Sequence, residues 1–238
     1  MAITNWPTDQ RPREKMAARG PQALSDPELL ALFLRTGVQG KNAIDLGRDM
    51  LAHFGSLTQL FSASARDFAG IKGIGPAKLA LMQAVLEMAR RVFHEELQAG
   101  SVMDSPVAVG NFLRLQFAGQ PNESFLALFL DVQNRLIACN KLWEGTLTRT
   151  VVYPREIVRM ALAHNAAAVI FAHNHPCGRA EPSALDKTVT RDLKRALDCV
   201  EITMIDHIIV CGARTWSFRE HGALPLTGAS KSSVTRRA

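Results

Sequence analysis

Apolar residues along the first hundred positions recur at helical spacing, and beyond them they gather into short runs that suit strands. Ser25-Asp26-Pro27-Glu28 reads as a helix start, with Ser25 at the N-cap and Glu28 three residues in. That helix carries Leu29, Leu30, Leu32, Phe33 and Leu34, and is expected to stop near Gly37. A second helix is predicted from Ala43 to Phe54 with Gly55 as its stop, and a short third from Leu57 to Phe61. Glycines at 70, 73 and 75 then mark tight turns, and Pro76 suits the first position of a long helix through Leu79, Leu81, Met82, Val85, Leu86, Met88 and Ala89.

The rhythm changes around Ala99-Gly100-Ser101, where a domain boundary is expected. Ser105-Pro106 opens a helix to about Phe117. Phe125 to Leu130 and Leu136 to Trp143 suit a hairpin of two strands. A short strand near Leu147–Val152, a helix from Pro154 to His164 and a buried strand across Ala166–Ala172 follow. A helix after Ser183 shows Leu185, Val189, Leu193, Leu197 and Val200 on one side. Lys187, Arg191, Lys194 and Arg195 form a face expected to be solvated. Ile202–Cys211 and Thr215–Phe218 are the last strands. The chain thus divides into a polar arm (1–20), a helical domain (21–100), a mixed α+β domain (101–225) and a Ser/Thr/Arg-rich tail (226–238) expected to be disordered.

Charge narrows the partners only slightly. The net charge is +6, but residues 1–20 hold four basic and two acidic side chains, and 231–238 hold three basic and none acidic. The stretch between them is therefore only +1, so the excess sits at the two ends, and a broad nucleic-acid surface is not indicated. No apolar run is long enough to span a bilayer, and the N-terminus lacks the apolar core of a signal peptide. A cytoplasmic protein with no membrane contact is expected. The cysteines at 139, 177, 199 and 211 form no C-x-x-C pair, and reduced thiols fit that compartment.

Chemistry concentrates in His173-Asn174-His175-Pro176-Cys177-Gly178 and the residues up to Asp186. On a strand, positions i and i+2 share a face, so both imidazoles can leave the strand end toward one ion. Ser183 reads as the N-cap of the following helix and Asp186 as its third residue, so a carboxylate can close on the same point. Two imidazoles and a carboxylate suit Zn2+, and three protein ligands leave a fourth position for water. Cys177 lies in the loop between them and reads as a bystander.

This spacing resembles the metal-binding signature of the JAMM/MPN (Mov34/PAD-1) metalloproteases, and the HNHP start with Gly178 resembles the RadC-type branch. The resemblance implies an MPN, cytidine-deaminase-like mixed sheet flanked by helices, Zn2+ as cofactor and hydrolysis of a peptide or isopeptide bond in a protein or peptide substrate. It implies Glu123 as the general base, with Glu144 and Glu156 as competitors, and Ser183 as the oxyanion donor. Cys177 stands where that branch usually has serine, a position that is not a ligand. The glycine turns resemble a helix–hairpin–helix motif, which implies a DNA phosphate held near Lys72, Gly73, Gly75 and Lys78. The alternative to a hydrolase is therefore a DNA-associated repair or recombination accessory protein with the MPN domain as a platform. Yet residues 21–100 carry eight basic and eight acidic side chains, which leaves that surface without net charge. Asp206-His207, in the last long strand, reads as a pair satisfied within the sheet, or as a brace for a metal ligand.

Overall fold

The computed structural model describes residues 3–102, 105–145, 152–176 and 178–225. The chain forms two compact units. One holds residues up to 92 together with 118–120, and the other holds 93–117 and the chain from 121 onward.

The first unit is built from helices α1 (Pro12–Arg19), α2 (Asp26–Leu34), α3 (Ala43–Phe54), α4 (Leu57–Ser62) and most of α5 (Pro76–Ala99). Leu30, Leu34, Ile44, Met50, Leu60, Phe68 and Met82 make its core. Asn42 starts α3 by accepting the backbone N–H of Ile44 and of Asp45 at 2.9 and 3.0 Å, and Gly55 ends it at φ 82°. Two expectations change here. Residues 1–20 are not a loose arm: Ile3 and Trp6 pack against the core, and Lys15 reaches both Glu28 oxygens at 2.9 and 3.0 Å. Helix α2 ends at Arg35, which takes the left-handed φ of 61° itself, so Gly37 is not the stop. On α5, Leu81 and Met88 are exposed and Met82 is buried.

Among the described residues, the second unit holds a five-stranded sheet in the order β2-β1-β3-β4-β5. Its strands are β1 (Glu123–Leu130), β2 (Leu136–Gly145), β3 (Ala168–Asn174), β4 (Thr203–Cys211) and β5 (Arg214–Ser217). Only β3 and β4 run parallel. Such a pair needs a crossover, and α8 (Ala184–Asp198) supplies it. Alternate residues of each strand feed opposite faces. Leu126, Leu128, Ile170 and Ala172 pack on α6 (Pro106–Phe117). Phe125, Ala127, Phe129 and Phe171 pack on α7 (Pro154–Ala163) and α8. This is a mixed α/β sandwich, as the pattern of runs predicts. Lys194 departs from the solvated face assigned to it: it is buried and bonded to Asp198 at 3.2 Å. The expected strand near Leu147–Val152 falls almost wholly outside the described residues, and the tail from 226 and Cys177 lie outside them altogether. Cys139, Cys199 and Cys211 are free thiols.

Candidate metal centre

His173 is the last residue but one of β3, and its register partner on β1 is Phe125. It therefore points to the α8 face, beside Phe171 two residues earlier. His175 follows one residue past the strand end, and its backbone N–H still bonds Val210 of β4 at 2.9 Å. Asp186 sits in the first turn of α8. Ser183 and Asp186 form a reciprocal capping box: the Asp186 N–H donates to Ser183 Oγ at 3.1 Å, and the Ser183 N–H donates to Asp186 Oδ2 at 2.7 Å. The box turns the carboxylate back toward the strand end.

His173 Nε2 and His175 Nε2 lie 2.9 Å apart. Asp186 Oδ1 is 3.3 Å from the first and Oδ2 is 3.6 Å from the second. Ligand atoms about 2 Å from a tetrahedral ion stand ~3.3 Å from one another, so the three groups have the right spread. All three ligand atoms fall within 4.8 Å of one another. His175 Nδ1 donates to the Arg179 carbonyl at 2.8 Å, which leaves its Nε2 lone pair facing the cluster. His173 and Asp186 are buried and His175 is half-buried, so one side of the cluster stays open to solvent.

The electrostatics agree with a cation at this point. Burial pushes the Asp186 carboxyl up, but the His173 and His175 imidazoles beside it outweigh burial and hold the group far below the usual carboxylate range. The hydrogen bond with Asp186 raises His175 against the effect of burial. Both shifts say that the cluster favours positive charge at its centre. His207, in contact with His173 at 2.8 Å, is fully buried, and desolvation pushes it well below its ordinary value.

Glu123 opens β1 on the same face as Phe125, two residues away. Continuing the β1–β3 register from Phe125 and His173 brings it opposite His175, and its charge is the smallest of the causes that raise that imidazole. The competitors stand elsewhere. Glu144 is opposite Ser124, on the other face of the hairpin, and bonds Lys141. Glu156 bonds Arg159 at 3.0 Å on α7.

Two residues at the site escape a reading of the sequence. Asn174 straddles Glu123: its Oδ1 accepts the Ser124 N–H at 2.7 Å and its Nδ2 donates to the Asn122 carbonyl at 3.0 Å. Thr190 is fully buried beside His207. The only sequence signal for Asn174 is its place between the two histidines. The side chains of Asp206 and His207 do not pair with each other, although Asp206 Oδ1 accepts the His207 backbone N–H at 2.7 Å. Asp206 takes hydrogen bonds from Ser217 Oγ at 2.5 Å and the Arg219 N–H at 3.0 Å, while the His207 ring lies among Phe125, Phe171 and Phe218.

Comparison with known proteins follows this geometry. A family described as the RadC-like JAB domain matches residues 103–223, and one described as UPF0758 N-terminal matches residues 3–80. A UPF0758 protein of Herminiimonas arsenicoxydans is 59% identical over 94% of this chain and 100% of its own length. The chain belongs to the RadC-like UPF0758 family. UPF0758 proteins of Aromatoleum aromaticum and Ralstonia nicotianae are 56% and 54% identical over the same shares of both chains. The RadC-like match takes in the whole cluster and Glu123, and the UPF0758 N-terminal match takes in the hairpin glycines.

In that hairpin, Gly70 and Gly73 have φ of 90° and 89°. A Cβ on Gly73 would lie 2.2 Å from Val38 Cγ1, so this glycine is fixed by packing within the unit. Lys78 Nζ bonds the Thr36 carbonyl at 3.0 Å, and Lys72 is exposed. Among the described residues no helix is long and apolar enough to cross a membrane.

Proposed function

We propose that this protein is a metal-dependent hydrolase that cleaves an amide bond in a protein or peptide, with Zn2+ as its ion. The observation that carries the reading is the convergence of His173, His175 and Asp186 on one point with a solvent-facing side. A Zn2+ held by His173, His175 and Asp186 would supply Lewis acidity, bringing the pKa of a water down to about 7 and polarising a carbonyl. The chain's own residues supply the rest. Glu123, held from both sides by Asn174, takes a proton from the attacking water and passes it to the leaving amine. The Ser183 hydroxyl accepts the Asp186 N–H and lies beside the Asp186 carboxylate, and its hydrogen would turn from there to the oxyanion that develops on the carbonyl. Phe125 and the buried strand end keep bulk water from the inner side of the cluster.

Zinc analysis of the purified full-length chain tests the reading. About one equivalent is expected in the wild type and far less in His175→Ala. Glu123→Gln is expected to keep the ion and lose cleavage of a peptide library. Full zinc retention by His175→Ala sinks the ligand assignment, and unchanged cleavage by Glu123→Gln moves the base elsewhere.

DNA docking at the hairpin is a second reading, favoured by the open space beside Gly70 and Gly75, where a phosphate can approach the backbone. Binding of the full chain to a fluorescent branched duplex, lost as salt rises, supports it; no binding at low salt removes it.

A further inference from the structure

Hydrogen-bond partners around His207 fix where the protons lie. A main-chain carbonyl only accepts, so Thr190 commits its single hydroxyl hydrogen to the Asp186 carbonyl, 2.6 Å away. The same oxygen lies 2.7 Å from His207 Nδ1. With its hydrogen already used, the oxygen accepts there, and His207 carries its proton on Nδ1. Complete burial disfavours a second proton, so His207 Nε2 keeps a lone pair. That atom is 2.8 Å from His173 Nδ1, which must then donate. A neutral His173 with its proton on Nδ1 turns a bare Nε2 toward His175 and Asp186.

We propose that Thr190 and His207 are positioning residues that hold His173 in the Nδ1–H tautomer, so that its Nε2 lone pair faces the metal centre. The proton placement stands on geometry alone; its use rests on the metal reading above. The path is closed at both ends by the cluster itself: it starts on the main chain of Asp186 and finishes on the side chain of His173. Aromatic rings keep the imidazoles from turning. His207 stacks on Phe218 at 5.0 Å and 6°, and His173 on Phe125 at 5.8 Å and 9°.

The choice of a histidine has a chemical consequence. A metal-bound imidazole commonly donates to a carboxylate or a carbonyl, and a carboxylate raises the basicity of the ligand. A neutral imidazole orients His173 without adding a negative charge near the ion. Asp186 remains the one anionic ligand of the cluster, and the Lewis acidity of the ion is kept.

Thr190→Val and Thr190→Ser test the assignment. Valine keeps the shape and removes the hydroxyl. His207 then loses the acceptor for its Nδ1 proton, and the proton is better placed on Nε2. That proton confronts His173 Nδ1, which must accept and move its own proton to Nε2, against the ion. Serine keeps the hydroxyl and should leave everything in place.

The first readout is the histidine tautomers of the metal-free full-length protein, by long-range 1H–15N NMR above neutral pH. Nδ1–H is expected at His173 and His207 in the wild type and in Thr190→Ser, with both moved to Nε2–H in Thr190→Val. The second is Zn2+ affinity by competition with a chromogenic chelator. Thr190→Val is expected to bind about 10- to 100-fold more weakly, the range for loss of a group that orients a ligand, and Thr190→Ser close to wild type. A wild-type His173 protonated on Nε2, or a Thr190→Val that binds Zn2+ like the wild type, overturns the proposal. No Zn2+ binding by the wild type would instead overturn the metal reading, while the NMR pattern still decides the tautomers.

Discussion

Replacing Asp186 by asparagine separates what the carboxylate does for α8 from what it does for an ion. The side chains have the same shape, and an amide oxygen can still accept the Ser183 N–H now held at 2.7 Å. The helix loses one negative charge from its first turn, worth roughly 0.3–1 kcal/mol. Without metal, the variant should therefore melt within about 4 °C of the wild type. With metal the two part. At free Zn2+ one hundred times its Kd, the wild type gains about 2.7 kcal/mol, or roughly 5–11 °C. Losing a group that merely orients a ligand costs about 10- to 100-fold in affinity, so losing a charged ligand should cost at least ~100-fold. The same Zn2+ then stands near or below the variant's Kd, and the gain shrinks to about 0.4 kcal/mol, or roughly 1–2 °C. Scanning fluorimetry of chelator-treated protein, with and without Zn2+, measures both numbers. If Asp186→Asn shows the full wild-type shift, the carboxylate is not a ligand and the convergence described above has another purpose.

Ser183→Ala and Ser183→Gly distinguish a cap from a catalyst. Alanine should cost about 1 kcal/mol of stability and glycine a few tenths, yet both should lose peptide cleavage by about 100- to 1000-fold. Cleavage that follows stability, with glycine near wild type, returns Ser183 to a capping role alone. In the first unit, Gly73→Ala meets Val38 at a left-handed φ and should destabilise by about 2–4 kcal/mol in urea melts, whereas Gly75→Ala, with open space around it, should stay within ~0.5 kcal/mol. Gly75→Ala is thus the cleaner probe of DNA binding, and equal melts for the two variants would contradict the packing. Because hydrogen bonding to Asp186 raises His175 above its ordinary 6.5, protons compete for the site from above that pH. Zn2+ affinity should therefore weaken on acidification before pH 6.5 is reached, and a titration that stays flat through 6.5 refutes the linkage.

The cluster was legible in the sequence because each part of it is local. His173 and His175 share a face by strand periodicity, and Asp186 is placed by a capping box four residues long. Helices α3 and α6 were legible for the same reason, since their boundaries follow from Asn42, Gly55 and Pro106. What pattern could not supply was contact across strands. His207 meets His173 only because β3 and β4 pair in parallel with Phe171 opposite His207, and nothing within nine residues of Thr203–Cys211 announces that register. The same holds for Thr190, which looks like any polar residue on an amphipathic helix until α8 is laid against β4. At the other end of the chain, composition misled. Residues 1–20 are polar and proline-rich, but two apolar anchors, Ile3 and Trp6, suffice to bring them onto the core.

Asn174 gives the strand end a mechanical meaning. Its neighbours on either side are the two candidate ligands, while its own amide grips the backbone on both flanks of Glu123. Three consecutive residues thus tie Glu123 and the two imidazoles to one strand tip. If the tip of β3 shifts when a substrate arrives, both halves of the apparatus travel together, and their spacing survives the motion.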